Sequence, residues 1–161
     1  VLTVLADLEE DLSHAVKNAD KVIFAAGSKG KNIIGVDQEG AKSLIEMAKN
    51  AGLEKFVMLS SIGADNPAVN DDLEDYLRAK QNADEHLRSS GLNYSIVRPG
   101  YLTDEDGTGK IQLKEKLKIK GSISRADVAK TLVEALEDDV MQNRTFEILS
   151  GEVPIEKAVR S

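Results

Sequence analysis

A chain of 161 residues, 41% hydrophobic and 30% charged, has the size and composition of one folded domain rather than of two domains or a disordered segment. A net charge of -7 disfavours non-specific binding to nucleic acid, and the absence of cysteine excludes disulfides, thiolate metal sites and cysteine nucleophiles. No apolar run approaches the roughly 20 residues of a membrane-spanning helix, so we expect a cytoplasmic protein with no membrane partner.

Short apolar segments rich in β-branched and aromatic residues predict the strands of a largely buried sheet. In chain order they are residues 1–5, 21–26, 55–60, 93–98 and 145–149. Residues 101–121 contain three glycines and several charges, and predict a long loop with one short strand at 110–113.

Helical spacing of apolar residues fills the intervals between these strands. The predicted helices are residues 8–17, 36–50, 71–90 and a fourth helix that begins at Ser124 with a capping pattern. Because strands and helices alternate, the sequence predicts one α/β domain over residues 1–161, with helices covering a mostly parallel sheet.

Small and polar residues follow the predicted strands, at the sheet edge where open parallel sheets bind their ligands. In chain order the candidates are Asp7, Ala25, Ala26, Gly27, Ser60, Ser61, Pro99, Gly100 and Tyr101. Small side chains let a cofactor approach the backbone, while hydroxyl and carboxylate groups orient it. The alternative interpretation is that these residues only turn the chain tightly.

Tyr76 and Lys80 are four residues apart on the third predicted helix, so they share one face of it. A lysine ammonium beside a phenol favours the phenolate and lowers the pKa of the tyrosine, which makes it a usable acid or base in carbonyl reduction. Ser60 or Ser61 could hydrogen-bond the same substrate oxygen. The alternative interpretation is an amphipathic helix with a tyrosine at its rim.

Several segments, in their order and intervals, resemble one protein family. Asp7, residues 25–27, residues 56–61, the Tyr76 and Lys80 pair and residues 96–100 look like the atypical short-chain dehydrogenase/reductases, an NAD(P)-binding, epimerase/dehydratase-like group. The resemblance spans almost the whole chain. It implies a Rossmann-like, doubly wound parallel sheet and an oxidoreductase or sugar-epimerase-like activity on a small carbonyl or hydroxyl compound.

The resemblance also implies a role for each matching residue. Tyr76 would be the acid/base, Ser61 would steady the substrate oxygen, and Lys80 would bind the ribose hydroxyls of the nicotinamide and lower the pKa of the tyrosine. The implied cofactor contacts are Asp7 near the adenine, Ala25, Ala26 and Gly27 on the adenosine side, and Ser60, Lys80, Pro99, Gly100 and Tyr101. No metal ligand is implied.

Members of this family open with a strand, a Gly-x-x-Gly-x-x-Gly turn and a helix that holds the pyrophosphate. The present sequence lacks this opening and begins at the family's third strand, so we expect it to represent the last two thirds to three quarters of the family domain. It would then be a fragment of a longer product, a protein numbered without its first part, or a truncated relative with altered strand pairing. The residue that separates NAD from NADP lies in the missing part; NADP is the preferred expectation, with NAD as the alternative.

Two functions of different classes fit these patterns. The first is an NAD(P)-dependent enzyme that uses Ser61, Tyr76 and Lys80, and the second is a non-catalytic NAD(P)-sensing regulatory or scaffold protein in which these residues only pack. The helix over residues 71–90 corresponds to one that often forms the dimer interface of related proteins, so a homodimer is a further expectation. His14 and His86 are predicted as solvated surface residues.

Overall fold

A computed structural model describes residues 3–161. Its elements, in chain order, are β1 (Lys21–Phe24), a π-helical segment (Ile33–Gly40) that continues into α1 (Ala41–Asn50), β2 (Lys55–Leu59), two 3-10 turns (Pro67–Val69 and Asp71–Leu73), α2 (Glu74–Ser89), β3 (Tyr94–Pro99), β4 (Tyr101–Thr103), β5 (Lys110–Lys114), β6 (Ser122–Ser124), α3 (Arg125–Glu134), β7 (Arg144–Ser150), β8 (Val153–Pro154) and α4 (Ile155–Ala158). No helix in this part of the chain is both long and apolar enough to cross a membrane.

Six strands form the main sheet in the order β1-β2-β3-β7-β5-β8. The first four are parallel, with Val57 aligned with Ser95 and Val97 aligned with Phe146. β5 and β8 extend the sheet in the antiparallel sense, and β4 and β6 form a separate parallel pair. This mostly parallel sheet with its covering helices confirms the predicted Rossmann-like α/β fold.

The core lies on both faces of the sheet because successive strand residues point to opposite sides. On one face, Phe56, Met58 and Ile96 belong to a buried cluster with Ile45 of α1 and Leu87 of α2. The other face belongs to a second buried cluster that includes Val57, Val97, Val128, Leu132, Phe146 and Ile148. Strands covered on both faces explain why their sequences are continuous apolar runs.

The predicted helix over residues 8–17 is wrong, because this region forms successive turns. Asp7 and Asp11 each accept a hydrogen bond of 2.9 Å from the backbone amide two residues later. Such local side-chain bonds compete with helical hydrogen bonds. Leu12 and Val16 are buried in the core, and their four-residue spacing produced the helical pattern.

The strand predicted over residues 1–5 falls partly on Val1 and Leu2, which lie outside the described residues. Residues 3–5 form no strand, and Leu5 is 95% exposed. Within the part of the chain that the structure describes, β1 therefore has β2 as its one neighbour in the sheet.

The region 101–121 is more regular than predicted. The expected strand at 110–113 is present as β5, but β4 also forms and pairs with β6. Gly100 makes this possible because a Cβ at this position would collide with the carbonyl oxygen of Gly121 and with Leu149.

The remaining predicted helices are confirmed as α1, α2 and α3. The hydroxyl of Ser124 accepts a hydrogen bond from the Asp127 amide at 3.1 Å and so caps α3.

Candidate functional site

A cavity of about 830 Å³ opens at the carboxyl ends of β1, β2 and β3. This is where an open parallel sheet is expected to bind its ligand, and the volume lies within the usual range for ligand sites. The sequence-predicted residues that line it are Ala25, Ala26, Gly27, Ser60, Ser61, Tyr76, Lys80, Pro99, Gly100 and Tyr101. The fold therefore brings together residues from four separate parts of the chain.

Asp7 is the predicted site residue that does not join this group. It is exposed and lies in a separate shallow depression with Leu5, Asp11 and His14. Its Oδ1 accepts the amide of Glu9, so it caps a local turn. The contact with adenine that the resemblance implies for Asp7 stays a prediction.

Tyr76 and Lys80 lie side by side, as their spacing on α2 predicts. The Lys80 Nζ is 5.5 Å from the centroid of the Tyr76 ring, which is a cation-π distance. Lys80 is only 4% exposed, and its Nζ donates to the carbonyl oxygen of Leu59 at 3.4 Å. A charge buried to this degree requires a nearby anion.

Asp37 supplies this anion from the π-helical segment that precedes α1. Its Oδ1 lies 3.7 Å from Lys80 Nζ, with both side chains almost fully buried. Its Oδ2 accepts the amide of Ser28 at 3.0 Å and the hydroxyl of Ser28 at 2.6 Å. Burial lowers the pKa of Lys80, while the charges of Asp37 and Asp84 oppose that shift. Asp37 thus ties the lysine to the turn that follows β1.

The pKa of Tyr76 is raised, whereas the sequence predicts a lowered one. Burial of the phenol is the main cause, and the negative charges of Asp37 and Asp84 add to it. The prediction of a lowered pKa is therefore wrong for this structure, in which Tyr76 keeps its proton at neutral pH.

The two serines that follow β2 have different partners. Ser60 is buried, and its hydroxyl donates to Asp84 Oδ2 at 2.8 Å. Ser61 is half-buried, and its hydroxyl contacts the carbonyl oxygen of the adjacent Ile62 at 3.2 Å. Of the two, Ser61 has the hydroxyl that a ligand in the cavity can recruit more easily.

Asp84 and Arg98 form a buried ion pair next to Ser60. The guanidinium donates to Asp84 Oδ2 from Nε at 3.1 Å and from Nη2 at 2.8 Å. Burial raises the pKa of Asp84, and the charge of Arg98 counteracts it. Asp84 Oδ1 has no hydrogen-bond partner among the described residues. The pair fixes α2, and with it Lys80, against the end of β3.

Asp37, Asp84 and Arg98 are not among the site residues predicted from the sequence. A usable signal exists for the two aspartates, since Asp37 lies four residues before the buried Ala41 and Asp84 lies four residues after Lys80. A carboxylate in phase with the apolar stripe of a helix indicates a buried partner of opposite charge. Arg98 offers no such signal beyond its place at the end of a buried strand.

His14 is exposed, as predicted, whereas His86 is half-buried, and neither histidine lines the cavity. His86 Nε2 lies 2.8 Å from Glu46 Oε1, and His14 Nε2 lies 3.0 Å from the carbonyl oxygen of Leu5. Within residues 3–161, no cluster of three or more candidate side chains could hold a metal ion.

Residues 1–139 match the protein family described as NAD(P)H-binding. The chain belongs to this NAD(P)H-binding family. Its relative YhfK of Bacillus subtilis, named an uncharacterized sugar epimerase, is 42% identical over 166 residues, which cover 98% of this chain and 77% of YhfK. The family assignment agrees with the position of the cavity and supports a nicotinamide dinucleotide as cofactor.

Solved structures of relatives share the fold closely. A structure from Bacillus halodurans, named a putative NAD-dependent epimerase/dehydratase, has a TM-score of 0.94 and 41% sequence identity to this chain. The match covers 98% of this chain and 76% of the Bacillus halodurans chain. The oxidoreductase ylbE from Lactococcus lactis has a TM-score of 0.90 and 31% sequence identity, and the match covers 98% of this chain and 75% of the ylbE chain. This NAD(P)H-binding family thus has oxidoreductase-type and epimerase-like members.

Proposed function

We propose that this protein is an NAD(P)-dependent oxidoreductase that reduces a carbonyl compound, with Tyr76 as the proton donor. The observation that carries the proposal is the Tyr76, Lys80 and Ser61 group on the wall of the strand-end cavity. Family membership supports the cofactor. The pKa of Tyr76 is raised, so the phenol holds the proton that the reduction consumes.

The cavity has features that suit a nicotinamide dinucleotide. Ala25, Ala26 and Gly27 line it with little side-chain bulk, so a flat adenosine group can approach their backbone. Pro99 and Gly100 line the same cavity, and we assign them with Tyr101 to the nicotinamide side. Lys80 and Ser60 complete the proposed contacts, with Lys80 as the donor to the ribose hydroxyls.

NADP is the form we propose as preferred. Lys29 lines the same cavity two residues beyond Gly27, and its positive charge favours an additional phosphate group. Fluorescence titration measures this directly, because NADPH should bind more tightly than NADH. Equal affinities would remove the preference.

The chemistry divides between cofactor and protein. When bound, the reduced nicotinamide supplies the hydride that the substrate carbonyl carbon accepts. The Ser61 hydroxyl holds the substrate oxygen, and the Tyr76 phenol transfers its proton to that oxygen as negative charge develops there. Lys80 then stabilises the phenolate that remains, until water returns the proton.

A Tyr76→Phe variant tests the assigned role. Loss of the phenolic proton should reduce kcat by about 100-fold or more while the Kd for NADPH changes little. Tyr94→Phe is the matched control because Tyr94 lies outside the cavity. Wild-type turnover by Tyr76→Phe would exclude Tyr76 as the proton donor.

A second candidate, a non-catalytic NAD(P) sensor, is favoured by two observations. Lys80 is already paired with Asp37, and Tyr76 keeps its proton, as expected for residues that only pack. This alternative would be established if NADPH binds tightly but no aldehyde, ketone or quinone oxidises the bound NADPH. The predicted homodimer can be measured on the same material by sedimentation.

A further inference from the structure

Two segments of opposite charge border the cavity. The acidic segment, residues 65–73, contains three aspartates and no lysine or arginine, whereas the basic segment, residues 114–120, contains four lysines and one glutamate. Asp71 and Asp72 of the acidic segment and Lys120 of the basic segment line the cavity. The cavity therefore has an acidic border and a basic border that come from distant parts of the sequence.

An ion pair already joins the two segments. The Lys116 ammonium of the basic segment contacts the Asp65 carboxylate of the acidic segment. Asp71, Asp72 and Lys120, by contrast, make no side-chain hydrogen bond or ion pair with other residues in the part of the chain that the structure describes. The charges of the two segments are thus paired at Asp65 and left unpaired at the cavity.

The basic segment is fixed at both ends. The Leu117 side chain is buried, and its amide donates to the buried carboxylate of Glu147, with Oε2 at 2.7 Å. Beyond Lys120, the carbonyl oxygen of Gly121 accepts the amide of Tyr101 at 3.0 Å, where β4 and β6 pair. These bonds hold Lys120 at the cavity in a segment that has little freedom to move.

The acidic segment is held more weakly. Backbone bonds between residues three apart close its turns, from the amides of Val69, Asn70 and Leu73, at 3.1 to 3.3 Å. Val69 is 69% exposed and Leu73 is 39% exposed. Exposed turns with local hydrogen bonds are the parts of a fold that rearrange at the smallest cost in free energy. The acidic segment is therefore the one that can move toward the other.

Contact between the segments would bury apolar surface as well as pair charges. Val69 and Leu73 lie beside the unpaired aspartates, and Ile119 of the basic segment is 51% exposed; all three line the cavity. Arg125 also lines the cavity, but its Nε is already 2.8 Å from Asp104 Oδ1. Each segment thus combines apolar area with charge of the sign that the other segment lacks, as in surfaces that bind each other.

We propose that the acidic segment is a lid that closes on the basic segment over bound NAD(P)H, with Asp71 and Asp72 pairing with Lys120. The inference rests on the proposed function, because NAD(P)H is the ligand that the lid retains. Closure excludes water from the phenol of Tyr76, which lies three residues after the lid ends, and slows the release of the cofactor. Lys29, which also lines the cavity, stays with the cofactor phosphate.

The first test measures the distance between the lid and the fixed side of the cavity. The chain contains no cysteine, so spin labels can be placed through Ala68→Cys on the lid and Ser122→Cys on β6. Both positions are exposed and neither lines the cavity. Double electron–electron resonance gives the label distance with and without saturating NADPH, and again after Asp71→Lys with Asp72→Lys reverses the charge of the lid.

The second test measures the rate of NADPH release by stopped-flow displacement. It compares the wild type, the lid variant (D71K with D72K), the lid variant with K120E added, and a control with D75K and E85K. The control changes the net charge of the lid variant's wild-type parent by the same amount, at exposed positions of α2 outside the cavity. It therefore corrects for the general attraction of added positive charge to an anionic dinucleotide.

NADPH should shorten the label distance in the wild type and leave it unchanged in the lid variant. The lid variant should release NADPH about fivefold faster than the control, and K120E should restore most of the difference, since it returns opposite charges to the two borders. General attraction predicts the reverse, because lysines beside the cavity would slow the release of an anion. An unchanged distance in the wild type, slower release by the lid variant or no recovery with K120E would overturn the lid.

Failure of the proposed function gives a different result. If NADPH binds but is not oxidised, the label distance and the release rates still decide on the lid. If NADPH does not bind, the ligand-free distances decide. A population of short distances that disappears in the lid variant and at about 0.5 M salt supports the lid, and identical distributions overturn it.

Discussion

Lys80 is a buried lysine whose charge depends on one neighbour. Asp37 Oδ1 lies 3.7 Å from its Nζ in surroundings that exclude water, and burial alone lowers the pKa of the lysine. The charge of Asp37 opposes that shift, and a charged Lys80 is what the proposed stabilisation of the Tyr76 phenolate requires. We propose that Asp37 acts as a positioning residue for Lys80.

Asp37→Asn should lower the pKa of Lys80 further, because the counter-charge is lost while burial remains. We expect kcat to fall by about tenfold at neutral pH, and the decline of activity at alkaline pH to begin at a lower pH than in the wild type. Glu39→Gln is the control, since Glu39 pairs with Lys42 on the surface. An unchanged pH profile in Asp37→Asn would show that Lys80 does not depend on this carboxylate.

The raised pKa of Tyr76 fixes the direction of the pH dependence. Reduction uses the protonated phenol, and a phenol with a pKa above its ordinary value of about 10 stays protonated across the neutral range. The kcat for reduction should therefore be constant from about pH 6 to pH 9, while the reverse oxidation, which needs the phenolate, should accelerate with pH. A reduction rate that declines with an apparent pKa near 7 would contradict this.

At the scale of the elements, a buried ion pair and a set of more exposed ones attach the long helix and the connecting segments to the sheet. Asp84 on α2 binds Arg98 on β3, and Arg98 Nη1 also lies 3.8 Å from Asp65 Oδ1. Lys116 contacts both Asp65 and Glu147. The helix that carries Tyr76 and the segment that carries Ile119 are thus connected through one set of charges.

Asp84→Ala should destabilise the fold by about 3 to 5 kcal/mol, because it leaves the buried Arg98 guanidinium without its main partner. Urea unfolding followed by circular dichroism measures the loss. Glu74→Gln breaks the ion pair with Arg78 on the surface of the same helix, and should cost less than about 0.5 kcal/mol. Equal effects of the two substitutions would mean that the Asp84 and Arg98 pair does not stabilise the fold.

Asp127 anchors the turn before β5 to α3. Its carboxylate accepts the amides of Thr108 at 2.9 Å and Gly109 at 2.8 Å. Burial alone would raise its pKa, but these hydrogen bonds outweigh burial and lower it. Because the pKa of Asp127 is lower in the folded state than in the unfolded state, its ionisation stabilises the fold at pH values above the unfolded-state pKa. This stabilisation is lost as the pH falls through the folded-state pKa.

Asp127→Asn should therefore cost about 1 to 2 kcal/mol at neutral pH, since charged acceptors form the stronger bonds. The difference from the wild type should shrink as the pH falls below about 4, where the wild-type carboxylate also becomes neutral. Urea midpoints at several pH values measure this. A difference that stays constant down to pH 2 would contradict the charge-based explanation.

On the scale of the whole molecule, the fold and the place of the site follow from the sequence because both depend on periodic burial. Strands such as 55–60 and helices such as 71–90 are apolar with the correct period, and parallel connectivity brings their ends to one cavity. The helix predicted over 8–17 fails because Asp7 and Asp11 bind their own backbone. The pairing of Asp37 with Lys80 joins distant segments, so local patterns do not reveal it.

The proposed function requires that this strand-end cavity binds a nicotinamide dinucleotide through Lys80. Titration of NADPH into the wild type, Lys80→Met and the exposed-lysine control Lys17→Met, followed by cofactor fluorescence, tests it most directly. We expect saturable binding by the wild type and the control, and an affinity at least about tenfold weaker for Lys80→Met. Absence of saturable binding by the wild type, or equal affinity in all three proteins, would contradict it.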